Sequence, residues 1–582
     1  MNNNTDIAII GLSGQYSNAK NPDILWKKLI NGEDLNIYVD DKKNDSPNYV
    51  NRAANLEDID CFDNEFFKVS PYEAKITDPQ HRLFLINCFK ALEDAGYANI
   101  SKKQCIGVFG STSISSYLLN NILKNSNYNG SDIDFNILIG NDKDFLATRV
   151  SYKLNLSGPA LTIQTACSSS LVALNYAAQS ILNYECDSAL VGGVSISIPQ
   201  HKGYYHKEGA IFSEDGFCRP FDNSSSGTIK GNGCSVILIK RLKDALKDND
   251  HIYAILKGTA INNDGSNKIG FTAPSIPGES SVVKNCISFS NLAPSDIDYI
   301  EAHGTGTKLG DPIEINALNK VFGSCDKKIY IGSIKSNIGH LDAASGLTSI
   351  IKAVYMLNNN LIPPNIYFKE LNKEIDNSHN TFIFPTSLVK KELNNISVSS
   401  YGLGGTNCHA IVSKNKNKKA NPKKLNLYMI PISYLRPEDL QKIKDSYREF
   451  LSDNICIEDF VYTLSTGKIR LKYTQYIIFD SLVTFSKKLS ELDSANYKDY
   501  SEFEIPKFNI NDLRNLYNTL PLFKDIYSKL KFTSEHLNEK DEYIKLEITF
   551  MSMLKVINVL SSQKLKITDE LNKKILCNIN SI

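Results

Sequence analysis

Residues 160–183 read Ala-Leu-Thr-Ile-Gln-Thr-Ala-Cys-Ser-Ser-Ser-Leu-Val-Ala-Leu-Asn-Tyr-Ala-Ala-Gln-Ser-Ile-Leu-Asn. Up to Ala166 the run is short, apolar and β-branched and follows the breaker Ser157-Gly158-Pro159, so it predicts a buried strand. From Ser168 onward, Leu171, Leu174, Ala178 and Ile181 recur at helical spacing and predict a helix with one apolar stripe. Cys167 falls at the junction. There the free N–H groups and the positive end of the helix dipole favour a thiolate and draw a cysteine pKa from about 8.5 toward neutrality. Ala166, Ser168 and Ser169 are small enough to let a carbonyl approach the sulfur, and the same N–H groups could hold an oxyanion. Taken alone, the stretch also fits a buried structural cysteine.

The alternation of strand and helix continues on both sides. Residues 6–12 predict a buried first strand, Asp78–Gly96 a helix with Pro near its start, Cys105–Gly110 a strand and the run from Asp187 another buried strand. Beyond them, Ile237–Lys240, Tyr253–Ile261, Ile297–His303 and Ile329–Ile334 are strand-like. Ser280–Ser288, Asp311–Phe322 and Leu341–Leu357 are helical, and Ile396–Ser413 is a hairpin-like segment with a glycine turn. This grammar predicts an α/β fold with a largely buried sheet. Two halves, about 1–250 and 251–413, suggest a structural duplication without a sequence repeat.

Composition narrows the class. The 582 residues exceed one domain's worth of chain, and 42% hydrophobic with 22% charged residues is ordinary for a globular protein. A formal net charge of +1 gives no reason to expect a nucleic-acid binder. No apolar run is long enough to span a bilayer, and the N-terminus lacks the pattern of a signal peptide. The 12 cysteines include no Cys-x-x-Cys pair, so neither a metal site nor a disulfide framework is expected and the chain reads as cytoplasmic. His201 and His206 read as non-metal residues.

Three further stretches each place a polar group in a small-residue loop after a strand. They are Glu301-Ala-His-Gly-Thr-Gly-Thr with His303, Gly332-Ser-Ile-Lys-Ser-Asn-Ile-Gly-His with Lys335 and His340, and Ser400-Tyr-Gly-Leu-Gly-Gly-Thr-Asn, a glycine turn with approachable N–H groups. In open α/β sheets, sites form where strand ends converge, so these groups could share one pocket with Cys167. A thiolate can carry an acyl group as a thioester. Two imidazoles can hold the carbonyl of a second thioester while its carboxylate leaves as carbon dioxide, and backbone N–H groups of Cys167 and the 402–405 turn can hold the tetrahedral oxyanion.

Residues 1–413 resemble a β-ketoacyl synthase of the modular polyketide synthase type, in the thiolase-like superfamily. The resemblance rests on Thr-Ala-Cys-Ser-Ser-Ser, Glu-Ala-His-Gly-Thr-Gly-Thr followed by Gly-Asp-Pro-Ile-Glu, Lys-Ser-Asn-Ile-Gly-His and Gly-Gly-Thr-Asn, in the family's order and spacing. It implies the duplicated αβαβα layered fold and a decarboxylative Claisen condensation. Cys167 would be the acylated nucleophile, and His303 and His340 the decarboxylation and condensation pair. Lys335 would orient one histidine and pair with Glu314. Leu403 would complete the oxyanion hole with Gly404 and Gly405, and Thr305, Thr307 and Asn337 would line the pocket. The resemblance also implies a homodimer, acyl carrier proteins that bring both substrates on phosphopantetheine, other synthase modules and a separate acyltransferase. A non-elongating chain-transfer or docking module is the alternative from another class.

The polar, lysine-rich run 414–424 predicts an exposed linker. Residues 425–495 predict a small α/β unit that resembles the linker domain following a polyketide ketosynthase. Residues 505–582 read as a helical tail that faintly resembles an acyltransferase start or a docking segment, yet no Gly-His-Ser-x-Gly elbow is present. Asp480-Ser481-Leu482 looks like a carrier-protein attachment motif, but its place after a strand makes Asp480 or Ser481 a helix N-cap.

Overall fold

A computed structural model describes residues 5–40, 46–98, 105–125, 134–376, 380–417, 428–451 and 455–493. Its contacts divide the chain into two compact units, one of residues 1–95 and 104–417, the other of residues 96–103 and those from 418 onward. The predicted tail at 505–582 lies outside the described residues, as does the linker run from 418.

The first unit is built on one sheet of eleven strands: β1 (Ile7–Tyr16), β2 (Ile106–Thr112), β3 (Ala160–Thr162), β4 (Ser188–Ser195), β5 (Gly233–Arg241), β6 (Ala254–Asn263), β7 (Tyr299–Glu301), β8 (Ile329–Gly332), β9 (Phe382–Ile383), β10 (Asn395–Tyr401) and β11 (Thr406–Ser413). Their spatial order is β9-β8-β7-β10-β11-β6-β1-β5-β4-β2-β3. Five strands on each side of its middle repeat one pattern, and β9 adds a further parallel strand beyond β8. At the middle β1 and β6 pair antiparallel, with Ile7 opposite Leu256. On one side two antiparallel pairings (β1–β5, β5–β4) give way to two parallel ones (β4–β2, β2–β3). On the other side β6–β11 and β11–β10 are antiparallel, and β10–β7 and β7–β8 are parallel. The duplication expected from the two halves is therefore one of topology. It makes β8 the counterpart of β3, and β7 the counterpart of β2.

Six helices of this unit matter to the site: α1 (Pro79–Asp94), α2 (Ser169–Leu182), α3 (Ile276–Phe289), α4 (Gly310–Phe322), α5 (Lys335–Ile338) and α6 (Ser345–Asn359). Helices α2 and α6 belong to one apolar core with β1, β4, β5 and β11. They approach so closely that a Cβ on Gly346 would lie 2.7 Å from the Leu171 Cβ. Helices α3 and α4 form a second core with β7 and β8.

Two expectations fail here. The strand before Cys167 is not a buried run to Ala166. It stops at Thr162 on the sheet edge with Leu161 exposed, and the chain then turns through Ala166 at a φ of 56°. Helix α2 has no single apolar stripe either. Ser169, Ser170, Ala173, Asn175, Ala177 and Ser180 are buried along with the leucines, because the helix runs inside the core and its small residues admit neighbours on several sides.

The second unit pairs β12 (Tyr428–Tyr434) antiparallel with β13 (Tyr473–Phe479) and carries α7 (Asp439–Phe450), α8 (Ile457–Tyr462) and α9 (Leu482–Glu491). Ile430, Ile432, Phe460, Phe479, Phe485 and Leu489 make its core. Ser481 caps α9 by accepting from the Thr484 N–H at 3.3 Å, the local role expected of it.

Candidate active site

The chemistry-bearing residues all follow strands that pair in parallel, on the two opposite sides of the strand order. Cys167 follows β3, His303 follows β7, and Lys335 and His340 follow β8. The glycine turn joins β10 to β11.

The turn that presents Cys167 is fixed from several sides. Ser169 Oγ donates to the Ala166 carbonyl at 2.6 Å and accepts from the Thr165 N–H at 2.8 Å, which holds the left-handed Ala166 in place. Ser168 Oγ lies 2.9 Å from the carbonyls of Thr165 and Thr406, and Ser400 Oγ donates to the Cys167 carbonyl at 2.9 Å. The β10–β11 hairpin, remote along the chain, therefore clamps the Cys167 segment. Gly402 permits this contact, since a Cβ there would stand 2.2 Å from the Thr165 carbonyl oxygen. Gly404 and Gly405 take φ values of 99° and 89°, which turn the chain so that the Leu403 N–H faces the sulfur. The Cys167 N–H faces it as well.

The expectation of a lowered thiol pKa is overturned. Burial and the Asp342 carboxylate push the Cys167 thiol up to about 11, and they outweigh the two N–H groups and the Lys335 ammonium, which pull it down. Cys167 sits two residues ahead of the first turn of α2, where the dipole is weak. At rest the group is a thiol.

The imidazoles of His303 and His340 face each other edge to face, with ring centroids 5.5 Å apart. The Nδ1 of His340 accepts from the Asp342 N–H at 3.0 Å and from Ser345 Oγ at 2.9 Å. The Nδ1 of His303 receives the Tyr401 N–H in a long contact of 3.5 Å, with the Tyr401 ring 5.6 Å away. With Nδ1 an acceptor in both rings, the network assigns the proton to Nε2 in each. Burial together with the Lys335 charge holds His340 at about 3 and His303 well below the usual histidine range. Both rings are neutral hydrogen-bond donors.

Lys335 is buried and donates to the His303 carbonyl at 2.5 Å. It makes no ion pair with Glu314, the partner expected for it. Glu314 instead accepts the N–H groups of His303 (2.7 Å) and Gly304 (2.8 Å), while burial lifts its carboxyl to about 7. The two groups act on one loop, Lys335 on a carbonyl and Glu314 on two N–H groups, and the loop's backbone takes the hydrogen bonds that a salt bridge would have used. Asp311 braces the next step by accepting from Thr305 and Gly306 at 3.1 Å each. Thr305 and Thr307 stand with hydroxyls 3.1 Å apart, both half-buried. Asn337 faces away and donates to the Glu33 carbonyl at 2.9 Å, so it anchors the 33–36 segment.

Sequence reasoning missed three supports. Ser400 and Tyr401 tie the glycine turn to Cys167 and His303. Glu301 and Lys352 form a fully buried ion pair at 2.6 Å, and the other Glu301 oxygen holds the Ile334 N–H at 2.7 Å, next to Lys335. A single lysine inside the apolar run Ile350-Ile351-Lys352-Ala353-Val354 was the signal available for that pair.

Comparison with known proteins agrees with this geometry. The family Beta-ketoacyl synthase, N-terminal domain, matches residues 4–245, its C-terminal domain matches 253–369, and the Ketoacyl-synthetase C-terminal extension matches 372–478. Ketosynthase twelve of the bacillaene polyketide synthase of Bacillus amyloliquefaciens superposes with a TM-score of 0.78 at 33% identity, covering 88% of this chain and 94% of that one. The chain belongs to the β-ketoacyl synthases of polyketide synthases. The module 6 ketosynthase of the bacillaene synthase from Bacillus subtilis is similar at 31% identity and a TM-score of 0.75, over 97% of this chain and 96% of that one. Among curated relatives, one component of the phenolphthiocerol/phthiocerol polyketide synthase of Mycobacterium tuberculosis is 40% identical over 431 residues, 70% of this ketosynthase and 29% of the relative. Polyketide synthase PksL of Bacillus subtilis is 36% identical over 514 residues, 83% of this chain and 11% of the relative. The chain thus spans under a third of the length of these curated relatives. No helix among the described residues is long and apolar enough to cross a membrane.

Proposed function

We propose that the chain catalyses decarboxylative Claisen condensation of an acyl group held on Cys167 with a malonyl-type thioester. The observation that carries this reading is a thiol faced by the N–H groups of Leu403 and Cys167 and linked, through Ser400–Tyr401 to His303 and through Asp342 to His340, with two neutral imidazoles that keep their protons on Nε2.

Each step uses a group in its resting state. Cys167 attacks the carbonyl of the incoming acyl thioester, the old carbon–sulfur bond breaks, and the thiol proton passes to the departing sulfur, which leaves as a thiol. The Leu403 and Cys167 N–H groups stabilise the oxyanion of this step. The Nε2–H groups of His303 and His340 then hold the thioester carbonyl of the malonyl unit. Its carboxylate departs as carbon dioxide, and the electron pair becomes an enolate held by the same two donors. The enolate carbon attacks the Cys167 thioester, the carbon–sulfur bond breaks, and the thiolate takes up one proton as the thiol returns. Burial, with the nearby Lys335 charge adding to it, keeps both imidazoles neutral, so neither becomes a cation that would bind the malonyl carboxylate and hold it back.

Both substrates would arrive as thioesters on phosphopantetheine arms of separate acyl carrier proteins, with a separate acyltransferase charging the malonyl carrier and other synthase modules as neighbours. A homodimer in the cytoplasm is part of the same reading. Intact-protein mass spectrometry tests it. Cys167→Ala is expected to abolish acyl loading, and His303→Ala or His340→Ala to block condensation with loading retained. Product formation by Cys167→Ala, or transfer of the chain with no added two-carbon unit by the wild type, would reject condensation.

A further inference from the structure

Asp342, two residues beyond His340, holds a φ of 45°, a left-handed backbone that residues other than glycine avoid unless something keeps them there. This φ sets the angle between the peptide plane that carries the Asp342 N–H and the chain that runs on into α6. The chain beyond is not free to adjust. Residues Asp342–Ala344 form a short turn seated on β4, where a Cβ on Gly193 would lie 2.7 Å from the Ala343 carbonyl oxygen and 2.8 Å from the Ala344 Cα. Ser111 Oγ stands 3.2 Å from the same Ala343 carbonyl. With α6 packed in the core, a relaxation of Asp342 toward ordinary φ would have to rotate the peptide before it, and its N–H would swing off the His340 Nδ1.

The side chain of Asp342 is gripped from the opposite part of the sequence. Ser113, the residue after β2, places its hydroxyl 2.7 Å from Asp342 Oδ2 and 2.8 Å from Ser195 Oγ, at the end of β4. A hydroxyl has one proton, and the carboxylate is the stronger acceptor, so the proton goes to Asp342. Ser113 and Ser195 are both buried, and the Ser113 N–H donates to the Val194 carbonyl at 3.2 Å, which fixes the hydroxyl's own position.

What this grip controls is the His340 ring. Its backbone is already held, with the N–H donated to Ile229 at 2.7 Å and the carbonyl accepting from Gly231 at 2.9 Å. At Nδ1 the ring meets two groups of different kind. Ser345 Oγ, at 2.9 Å, can donate or accept, so it suits either tautomer. The Asp342 N–H, at 3.0 Å, can only donate, so it alone excludes a proton from Nδ1 and sends it to Nε2.

We infer that Ser113, through its hydrogen bond to the Asp342 carboxylate, is a positioning residue that fixes the Nε2–H tautomer of His340. The inference rests on the condensation chemistry proposed above, which uses that proton as a donor, but the tautomer can be read without turnover. Because the Asp342 charge also acts on Cys167, the test must separate charge from backbone. Asparagine does so: it is neutral, still accepts from Ser113 and tolerates the left-handed region, whereas alanine does neither of the last two.

The full chain is compared as wild type, Ser113→Ala, Asp342→Asn, Asp342→Ala and the double variant Ser113→Ala/Asp342→Ala. Imidazole nitrogen NMR shifts of the histidine-labelled protein report the tautomer, with His340 assigned as the signal lost in His340→Asn. Wild type and Asp342→Asn are expected to show a bare Nδ1 and a protonated Nε2, and Ser113→Ala and Asp342→Ala a mixture of both forms. Release of carbon dioxide from a malonyl thioester should slow at least about tenfold in Ser113→Ala and Asp342→Ala, with Cys167 loading by Ser113→Ala retained. The double variant should be no slower than either single one, since both break one link. A single Nε2–H form in folded Ser113→Ala overturns the inference. So does an Asp342→Asn that matches Asp342→Ala, which would make the charge rather than the held backbone the cause; this comparison decides the matter alone if Ser113→Ala fails to fold. A mixed tautomer with undiminished condensation upholds the role of Ser113 and refutes instead the role given to His340.

Discussion

Replacing Gly402 by alanine tests whether the glycine turn and the nucleophile segment act as one unit. The new Cβ would lie 2.2 Å from the Thr165 carbonyl oxygen and 2.8 Å from Ser168 Oγ, where real Cβ contacts stay beyond 3.0 Å. Backbone must move, because the nearest obstacle is a carbonyl rather than the end of a flexible side chain. Clearing it takes a shift of close to 1 Å between the 402–405 turn and residues 165–168. Overpacking of this kind costs about 1–3 kcal/mol in a packed interior. The consequence for catalysis is larger, since the same shift carries the Leu403 N–H off the sulfur, and a misplacement of about 1 Å is worth about 10²-fold in rate. The assay is single-turnover acylation of Cys167 followed by intact mass, with thermal melting in parallel. Gly402→Ala is expected to remain folded, lose a modest part of its stability and acylate about 100-fold more slowly. A variant with wild-type acylation and a wild-type melt would refute the view that this loop positions the oxyanion donor against Cys167.

Removing Lys352 as Lys352→Met leaves Glu301 buried and uncompensated, and the first unit should lose about 3–5 kcal/mol in denaturant titration, with much of it regained in Glu301→Leu/Lys352→Met. Alkylation of Cys167 by iodoacetamide should rise about tenfold per pH unit on approach to the thiol's value of about 11, because only the thiolate reacts, and a plateau reached below about pH 8 would restore the helix-dipole expectation. His340 is held at about 3 in the folded chain against an ordinary histidine value of 6.5, so the unfolded chain binds a proton that the folded one refuses. Its share of stability is whole above 6.5 and drains away as the pH falls toward 3, by up to about 1.4 kcal/mol per pH unit. His340→Asn should flatten that acid limb in pH-dependent melts, and an unchanged limb would assign it to other groups.

The alternating strands and helices were legible in the sequence because apolar spacing and Gly or Pro punctuation are local signals. The helix from Pro79, the strand from Ser188 and the hairpin around Gly402–Gly405 fall where their patterns put them. The short strand before Cys167 escapes such local reading. Thr-Ile-Gln-Thr-Ala has strand propensity, but β3 is an edge strand whose last bond to β2 runs from the Ile163 N–H to the Gly110 carbonyl, and the chain then turns away through Ala166. Cys167, Lys335, His303 and His340 could be picked out because each stands among small residues shortly after a strand, Lys335 at the start of α5.

The order of residues by itself determined the α/β class and the duplicated halves, and it singled out Cys167, His303 and His340 for the roles proposed above, since each is written within a short run of neighbouring positions. Only the folded chain decided the ionisation and hydrogen-bond state of those groups. Whether Cys167 rests as a thiol, which nitrogen of each imidazole keeps its proton, and whether Lys335 meets Glu314 or a carbonyl all depend on desolvation and on partners far away along the chain. Free energies of that kind arise from the distances between groups in the packed interior, and spacing along the chain does not encode those distances.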